Sequence, residues 1–237
     1  ISEATGVFKI KDIGKKTKVY GLVGKEIDNS PGYLFYNNFF QESNLDSCYI
    51  PIEINEGMES LKAFFVSDFT TDKDVSLGGL SITSPHKKNI VKIAKDLHYD
   101  IGPNSKLSGV ANTFTKKSNC FTVEDYDGSS LVKLLKTTYS IDPKGKTALV
   151  LGCGGVGCSI ASAFILNGMK VFLLNRNENT GRKEFKRLSN VYSKDTVHYG
   201  VPKVSPNIIV QATSLGGTSE GLNLLDLLNI NKEKVFN

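Results

Sequence analysis

Six consecutive residues, Gly152-Cys153-Gly154-Gly155-Val156-Gly157, have the types and spacing of a loop that cradles a pyrophosphate. Gly152 permits a tight turn, Gly154 lets the backbone approach the phosphates, and Gly157 lets the following helix pack close to its strand. An apolar run, Thr147 to Leu151, precedes the loop; a helical pattern continues to Gly168, and a second apolar run covers Val171 to Leu174. The order is therefore strand, phosphate loop, helix, strand, with free N–H groups and the positive dipole end of the helix facing the anion. The second strand ends in Asn175-Arg176 and not in a carboxylate. An acid at that tip binds the ribose 2′-hydroxyl of NAD, whereas an arginine suits the 2′-phosphate of NADP, so NADP is the expected cofactor. Glu178, two residues further on, is a poor substitute for the missing acid.

A hydride enzyme also needs a group that handles the proton of the alcohol or carbonyl. Gly79-Leu80-Ser81-Ile82-Thr83-Ser84-Pro85-His86-Lys87 joins a strand end, a proline corner and a helix start. Thr83 sits where the strand stops, and Lys87 falls in the first helical turn. A cation there opposes the helix dipole, which points to a purpose other than stability. The competing reading is a solvated surface lysine.

These residues need elements to position them. Val19 to Val23 reads as a strand, Tyr33 to Asn44 as a helix with Leu34, Phe35, Phe39 and Phe40 as its apolar pattern, Cys48 to Ile54 as a strand, and Met58 to about Val66 as a helix. Gly79 to Thr83 is a short strand, and His86 to Leu97 a helix with Ile90, Ile93, Ala94 and Leu97 on one face. Val110 to Thr115 and Asn119 to Val123 read as strands around a Lys-Lys-Ser turn. Gly128 to Tyr139 is a helix with Leu131, Leu134 and Leu135 inward, and Ile208 to Val210 a further parallel strand. Alternation of this kind predicts an α/β fold of two domains built on parallel sheets, with ligands in the cleft between them beyond the strand ends. The expected division is a linker or tail over 1–16, a substrate-binding catalytic domain over 17–139, and a Rossmann-type NADP-binding domain over 140–237.

Composition bounds the function. The 237 residues are 40% hydrophobic and 22% charged, as in a soluble globular protein with a sizeable core. The net charge of +5 is mild and scattered, with short clusters only at Lys15-Lys16 and Lys87-Lys88, so no nucleic-acid groove is expected. Apolar runs are too short for a membrane span, and no signal peptide opens the sequence. Cys48, Cys120, Cys153 and Cys158 lack metal spacing, and His86, His98 and His198 are dispersed, so no metal site is expected. Free thiols imply a reducing compartment, cytoplasm or plastid stroma. The first residue is Ile1, and Val235-Phe236-Asn237 reads as the first half of a strand, so the chain is expected to be a piece of something longer.

Six ordered segments carry a resemblance. Gly79 to Lys87 is similar to the G-x-N/S-V-T-x-P-x-K signature of shikimate dehydrogenases. Gly21 to Ser30 resembles the family's opening G-x-x-G-x-P-x-x-x-S, and Asn37 the asparagine of the next helix. Gly109 to Thr113 resembles G-A-V-N-T, and Asp125 to Gly128 the D-x-x-G that ends N-T-D-x-x-G. Gly152 to Gly157 with Asn175-Arg176 resembles its G-x-G-G-x and N-R-T pair, and Gln211 to Gly216 its N-A-T-x-x-G. The loose similarity of Phe8 to Lys18 to the junction in plant-type bifunctional enzymes implies a possible upstream dehydroquinase domain.

The resemblance implies NADPH-dependent reduction of 3-dehydroshikimate to shikimate, in the pathway to chorismate and the aromatic amino acids. Lys87 and Asp125 are then the catalytic pair, meeting at the cleft, with Lys87 as proton donor to the C3 oxygen. Thr83 and Asn112 bind ring hydroxyls, and Ser30 the substrate carboxylate. Gly152, Cys153, Gly154, Gly155, Val156, Gly157, Asn175, Arg176 and Thr213 hold the cofactor. Departures from the pattern carry information. Gly32 replaces a serine that would give the carboxylate a second hydroxyl and fill space near C1, which keeps a quinate dehydrogenase reading open. Val123 and Glu124 stand for the usual Asn and Thr before Asp125, Glu26 for a proline and Asn29 for a common histidine. A nucleotide-binding homologue without turnover is the third reading, opposed by the intact Lys87 and Asp125.

Overall fold

Two sheets organise the chain, each in its own compact unit. The computed structural model describes residues 13–28, 30–55, 57–71, 76–117, 120–193 and 195–213. Most of the expected linker, residues 8–12 of the junction segment, Asn29 and the Ser214-Leu215-Gly216 end of the last motif lie outside them. So does the expected terminal strand at Val235 to Asn237.

The first unit takes residues 13–106 and Val110–Asp125. Its strands are β1 (Lys18–Gly24), β2 (Ser47–Glu53), β3 (Leu77–Ile82), β4 (Asp100–Ile101), β5 (Thr113–Lys117) and β6 (Cys120–Glu124), in the order β2-β1-β3-β5-β6-β4. The sheet is mixed, against the expectation of a parallel one. β1, β2 and β3 are parallel, but β5 runs antiparallel to both β3 and β6. The connection from Lys117 to Cys120 is far too short for a parallel crossover, so β5 and β6 can pair only as a hairpin. β5 also starts later than the sequence suggests. Val110 and Ala111 are buried but lie outside the strand, and the Ala111 N–H donates to the Lys87 carbonyl at 2.9 Å.

Helices α1 (Gly32–Glu42), α2 (Met58–Phe65), α3 (Asp68–Thr71), α4 (Lys87–Asp96) and α5 (Pro103–Ser108), whose last two residues fall in the second unit, complete this unit. Its core gathers Val23, Leu61, Phe65, Leu80, Ile82, Ile90, Ile93, Phe114 and Val123. α4 buries Ile90, Val91, Ile93 and Ala94, the face its apolar spacing predicts. α1 does not follow its apolar pattern. Leu34, Phe35 and Phe39 are exposed, and the inward residues are Phe40 and the polar Asn37. The Asn37 amide acts as a strand surrogate: Nδ2 donates to the Tyr49 carbonyl and Oδ1 accepts from the Tyr49 N–H, both at 2.8 Å. Two satisfied buried bonds outweigh the apolar pattern in setting the helix face.

The second unit takes Leu107–Gly109 and residues 126–213. Strands β7 (Thr147–Leu151), β8 (Lys170–Leu174), β9 (Val197–Tyr199) and β10 (Ile208–Gln211) form a fully parallel sheet in the order β10-β7-β8-β9. Helices α6 (Asp127–Thr137), α7 (Gly155–Leu166) and α8 (Glu178–Val191) belong to it. α6 falls before the expected boundary at residue 139, but it packs on α7. A Cβ on Gly128 would run into the Ser159 backbone, and the Gly128 N–H donates to Ser159 Oγ at 2.7 Å. That close crossing buries Gly128, Val132 and Leu135 and turns Leu134, expected inward, to solvent. Leu107–Gly109 joins this unit because Arg187 of α8 holds it: Nη1 donates to the Leu107 carbonyl at 3.0 Å and Nη2 to the Ser108 carbonyl at 2.7 Å. Glu184 orients the same guanidinium through Nε.

Candidate active site and nucleotide loop

In the first unit, main-chain hydrogen bonds bring four of the expected site residues onto adjoining segments. β3 ends at Ile82, and the Thr83 N–H donates to the Val23 carbonyl of β1 at 2.9 Å. The Thr83 carbonyl accepts from the His86 N–H at 2.9 Å and closes the corner that begins α4. His86 is buried, with Nε2 3.0 Å from the Ile54 carbonyl. A carbonyl only accepts, so Nε2 carries a proton and anchors the corner. Lys87, half-buried, is the first residue of α4, as its position after the proline predicts. Its carbonyl holds Ala111. The Asn112 carbonyl accepts from Ile82 at 2.7 Å, and the Asn112 N–H donates to the Glu124 carbonyl at 3.1 Å. Asp125, buried, follows directly where β6 ends. The backbones of Thr83, Lys87 and Asn112 are thus tied to adjoining segments of β1, β3 and β6, and Asp125 follows Glu124, the partner of Asn112.

Ser30 stands apart from that lacing, in the loop after β1. Its N–H donates to the Ile27 carbonyl at 2.9 Å, and its Oγ accepts from the Gly32 N–H at 3.3 Å, which leaves the hydroxyl proton free to donate elsewhere. Gly32 opens α1, so an anion at Ser30 also meets the positive end of a helix dipole. Nothing in the backbone requires a glycine there. A Cβ would lie 3.4 Å from Ser30 Oγ and 3.9 Å from Tyr49 Cε1, ordinary contact distances. Burial raises the Tyr49 phenol above its ordinary pKa, partly offset by a hydrogen bond with Ser81, so the ring beside this turn is neutral.

In the second unit, the glycines behave as their spacing predicts. Gly152 has φ +102°, and a Cβ on it would meet the Ala212 carbonyl at 2.6 Å and Thr213 Cγ2 at 2.8 Å. A Cβ on Gly157 would collide with the Gly152 carbonyl, so this glycine sets the helix against the strand. Gly154 caps α7, and nothing lies within 4 Å of where its Cβ would be. That open cradle above a helix N-terminus fits a dinucleotide pyrophosphate. Gly155 and Val156 begin the helix, with Val156 exposed. The loop is fixed to the neighbouring strand tip: the Cys153 N–H donates to Asn175 Oδ1 at 3.0 Å, and Asn175 Nδ2 donates to the Asn177 carbonyl at 2.9 Å. Arg176 is exposed beside it. Glu178 is engaged elsewhere, 2.6 Å from Arg182 Nη2 in an i,i+4 pair, and Arg182 lies over the Tyr199 ring at 4.9 Å. Thr213 and Ala212 follow β10 directly against Gly152. The chain passes from the β8 side of β7 to its β10 side here, the switch point where such sheets bind ligands.

Several participants are not evident from the sequence. Glu124 Oε1 accepts from the N–H groups of Asp125 at 2.8 Å and Ser105 at 3.0 Å, and Asn104 Nδ2 donates to the Asp125 carbonyl at 3.0 Å. The only local signal is Gly102-Pro103-Asn104, which marks a turn but not its partner. All four cysteines are free thiols. Among the described residues, no group of side chains could hold a metal ion, and no helix is long and apolar enough to cross a membrane.

The site and sheets define an α/β protein with a Rossmann-type dinucleotide unit. Residues 22–114 match the shikimate dehydrogenase substrate binding domain. The chain is 30% identical over 206 residues to a shikimate dehydrogenase (NADP(+)) of Aquifex aeolicus, covering 86% of this chain and 71% of that protein. It is 26% identical over 218 residues to one of Desulforamulus reducens, covering 88% and 71% respectively. The crystal structure of the Aquifex aeolicus shikimate dehydrogenase superposes with a TM-score of 0.76 at 25% identity, over 94% of this chain and 79% of that one. The chain belongs to the shikimate dehydrogenase family.

Proposed function

We propose that this protein catalyses the reversible NADPH-dependent reduction of 3-dehydroshikimate to shikimate, in the pathway to chorismate and the aromatic amino acids. The observation that carries this reading is the set of backbone hydrogen bonds that brings Thr83, Lys87 and Asn112 onto adjoining segments, with Asp125 following directly on Glu124, the backbone partner of Asn112. In this reading the first unit binds the substrate and the second the cofactor. The Lys87 ammonium gives a proton to the C3 oxygen and ends neutral, while Asp125 orients it and accepts from a ring hydroxyl. Thr83 and Asn112 fix the remaining hydroxyls, and the Ser30 hydroxyl donates to the carboxylate. Bound NADPH supplies the hydride. The loop from Gly152 to Gly157 holds its pyrophosphate, Asn175, Arg176 and Thr213 its other groups, and the Arg176 guanidinium its 2′-phosphate.

A quinate-oxidising activity is the second reading. Gly32 favours it, because its backbone has no need of glycine and a larger side chain would fit, so its smallness serves the space beside it. A fused dehydroquinase domain and a reducing compartment accompany the main reading as proposals. The test is steady-state oxidation of shikimate and quinate with NADP+ by the natural full-length protein and by its Lys87→Ala variant. Turnover of neither substrate by the wild type would refute the reading. A loss of roughly 100-fold or more in kcat on Lys87→Ala, with little change in KM, is expected of a group acting in the transition state. Unchanged kcat would remove Lys87 from the mechanism.

A further inference from the structure

We propose that Glu124 is a positioning residue for Asp125, its carboxylate seated in the space that the missing side chain of Gly102 leaves. The proposal rests on the role given to Asp125 above. Glutamate stands here where the family pattern has threonine. One carboxylate oxygen, Oε1, accepts from the Asp125 N–H at 2.8 Å and the Ser105 N–H at 3.0 Å. It joins the residue at the end of β6 to the first turn of α5. From the other side, the Asn104 amide donates to the Asp125 carbonyl at 3.0 Å. Both polar groups of the Asp125 backbone are therefore held by side chains, one from the end of β6 and one from α5. Charge-assisted bonds to a carboxylate are about twice as strong as neutral ones, so Glu124 grips more firmly than a hydroxyl can.

Gly102 makes this possible. A Cβ built on it would overlap the Glu124 carboxylate, so any other residue at 102 displaces that group. The Gly102 N–H donates to the Val123 carbonyl at 2.9 Å, which keeps the two strands in register around the carboxylate. Its φ lies outside the left-handed region, so alanine is conformationally allowed there and its effect is one of volume. The same strand end binds Asn112 through the Glu124 carbonyl, so a shift of Glu124 reaches two substrate-facing residues at once.

The experiment uses the natural full-length protein and four variants: Glu124→Ala, Glu124→Gln, Gly102→Ala and the double variant with alanine at both positions. Shikimate oxidation is followed at saturating NADP+, since a misplacement of about 1 Å can cost roughly 100-fold. Glu124→Ala is expected to lower kcat by roughly 10- to 100-fold with an unchanged KM for NADP+. Glu124→Gln keeps an acceptor oxygen and should restore kcat to within about fivefold of wild type. Gly102→Ala should reproduce the loss, and the double variant should be no worse than the poorer single one, because both act on one contact. Protection of the Asp125 amide against hydrogen exchange gives a readout independent of turnover: it should be high in the wild type and in Glu124→Gln, and lost in Glu124→Ala and Gly102→Ala. If Glu124→Ala does not fold, Gly102→Ala and Glu124→Gln carry the test. Wild-type kcat and protection in Gly102→Ala, or failure of Glu124→Gln to restore both, would overturn the proposal. A wild type with a protected Asp125 amide but no turnover would refute the functional reading alone.

Discussion

Gly154 caps α7 and Gly157 lies in its first turn, and alanine at each should fail in a different way. At Gly157 the new Cβ meets the Gly152 carbonyl, which is backbone and cannot rotate aside. α7 must retreat from β7, and overpacking of this kind costs about 1–3 kcal/mol. At roughly 2–4 °C per kcal/mol for a protein of this size, the melting temperature of the cofactor-free protein should fall by about 2–12 °C. At Gly154 the Cβ meets nothing, and φ −74° with ψ −167° suits alanine. Stability should hold or rise by about 0.4–1 kcal/mol, through reduced freedom of the unfolded chain. The methyl group would occupy the space a phosphate needs, and loss of one charge-assisted bond of about 1.5–3 kcal/mol weakens NADPH binding roughly 10- to 150-fold. Differential scanning fluorimetry without cofactor and fluorescence titration with NADPH measure the two quantities. A Gly154→Ala variant that binds NADPH as tightly as wild type would refute the assignment of that open cradle to the pyrophosphate. A Gly157→Ala variant with unchanged melting would refute the packing argument.

Arg176→Ala should raise the KM for NADP+ roughly 10- to 150-fold and leave that for NAD+ nearly unchanged, since the contact is worth about 1.5–3 kcal/mol and only NADP carries the 2′-phosphate; equal losses for both cofactors would contradict it. Gly32→Ser should improve kcat/KM for shikimate and worsen it for quinate, because the Cβ fits beside Ser30 and Tyr49; steady-state rates with both substrates decide, and an unchanged ratio removes the quinate reading. Asn37→Ala leaves the Tyr49 N–H and carbonyl without their buried partner. At about 1–3 kcal/mol for each of the two unsatisfied groups, urea unfolding should show a loss of about 2–6 kcal/mol.

What the sequence made legible was local. A glycine that needs φ +102°, or one that cannot carry a Cβ beneath a carbonyl, announces itself by type and spacing, so the phosphate loop is readable residue by residue. Lys87 is readable because a cation in a first helical turn conflicts with the dipole. Pairings across long stretches of chain left no such mark. Asn37 sits among aromatics that suggested the opposite helix face, and only its contact with Tyr49 explains the burial. Glu124 departs from a family pattern, and its contacts with Asp125 and Ser105, beside Gly102, are visible only in the structure. α8 escapes periodicity because its surface is largely polar, with Gly181, Glu184 and Leu188 as its buried residues. Glu184 is buried for the sake of Arg187, a partner that pattern reading does not supply.

The pairing of Glu178 with Arg182 has an evolutionary consequence. The strand tip lacks the acid that an NAD-binding relative would carry, yet one stands two residues later, occupied by a guanidinium that also stacks on Tyr199. Arg182 thereby engages a carboxylate that stands two residues beyond Arg176 in the chain. A substitution at Arg182 would leave the Glu178 carboxylate without this partner, and under the proposed role of Arg176 that charge would oppose a 2′-phosphate. Under that proposed role, a lineage moving toward NAD has a route through Arg182 that leaves the glycine loop unchanged.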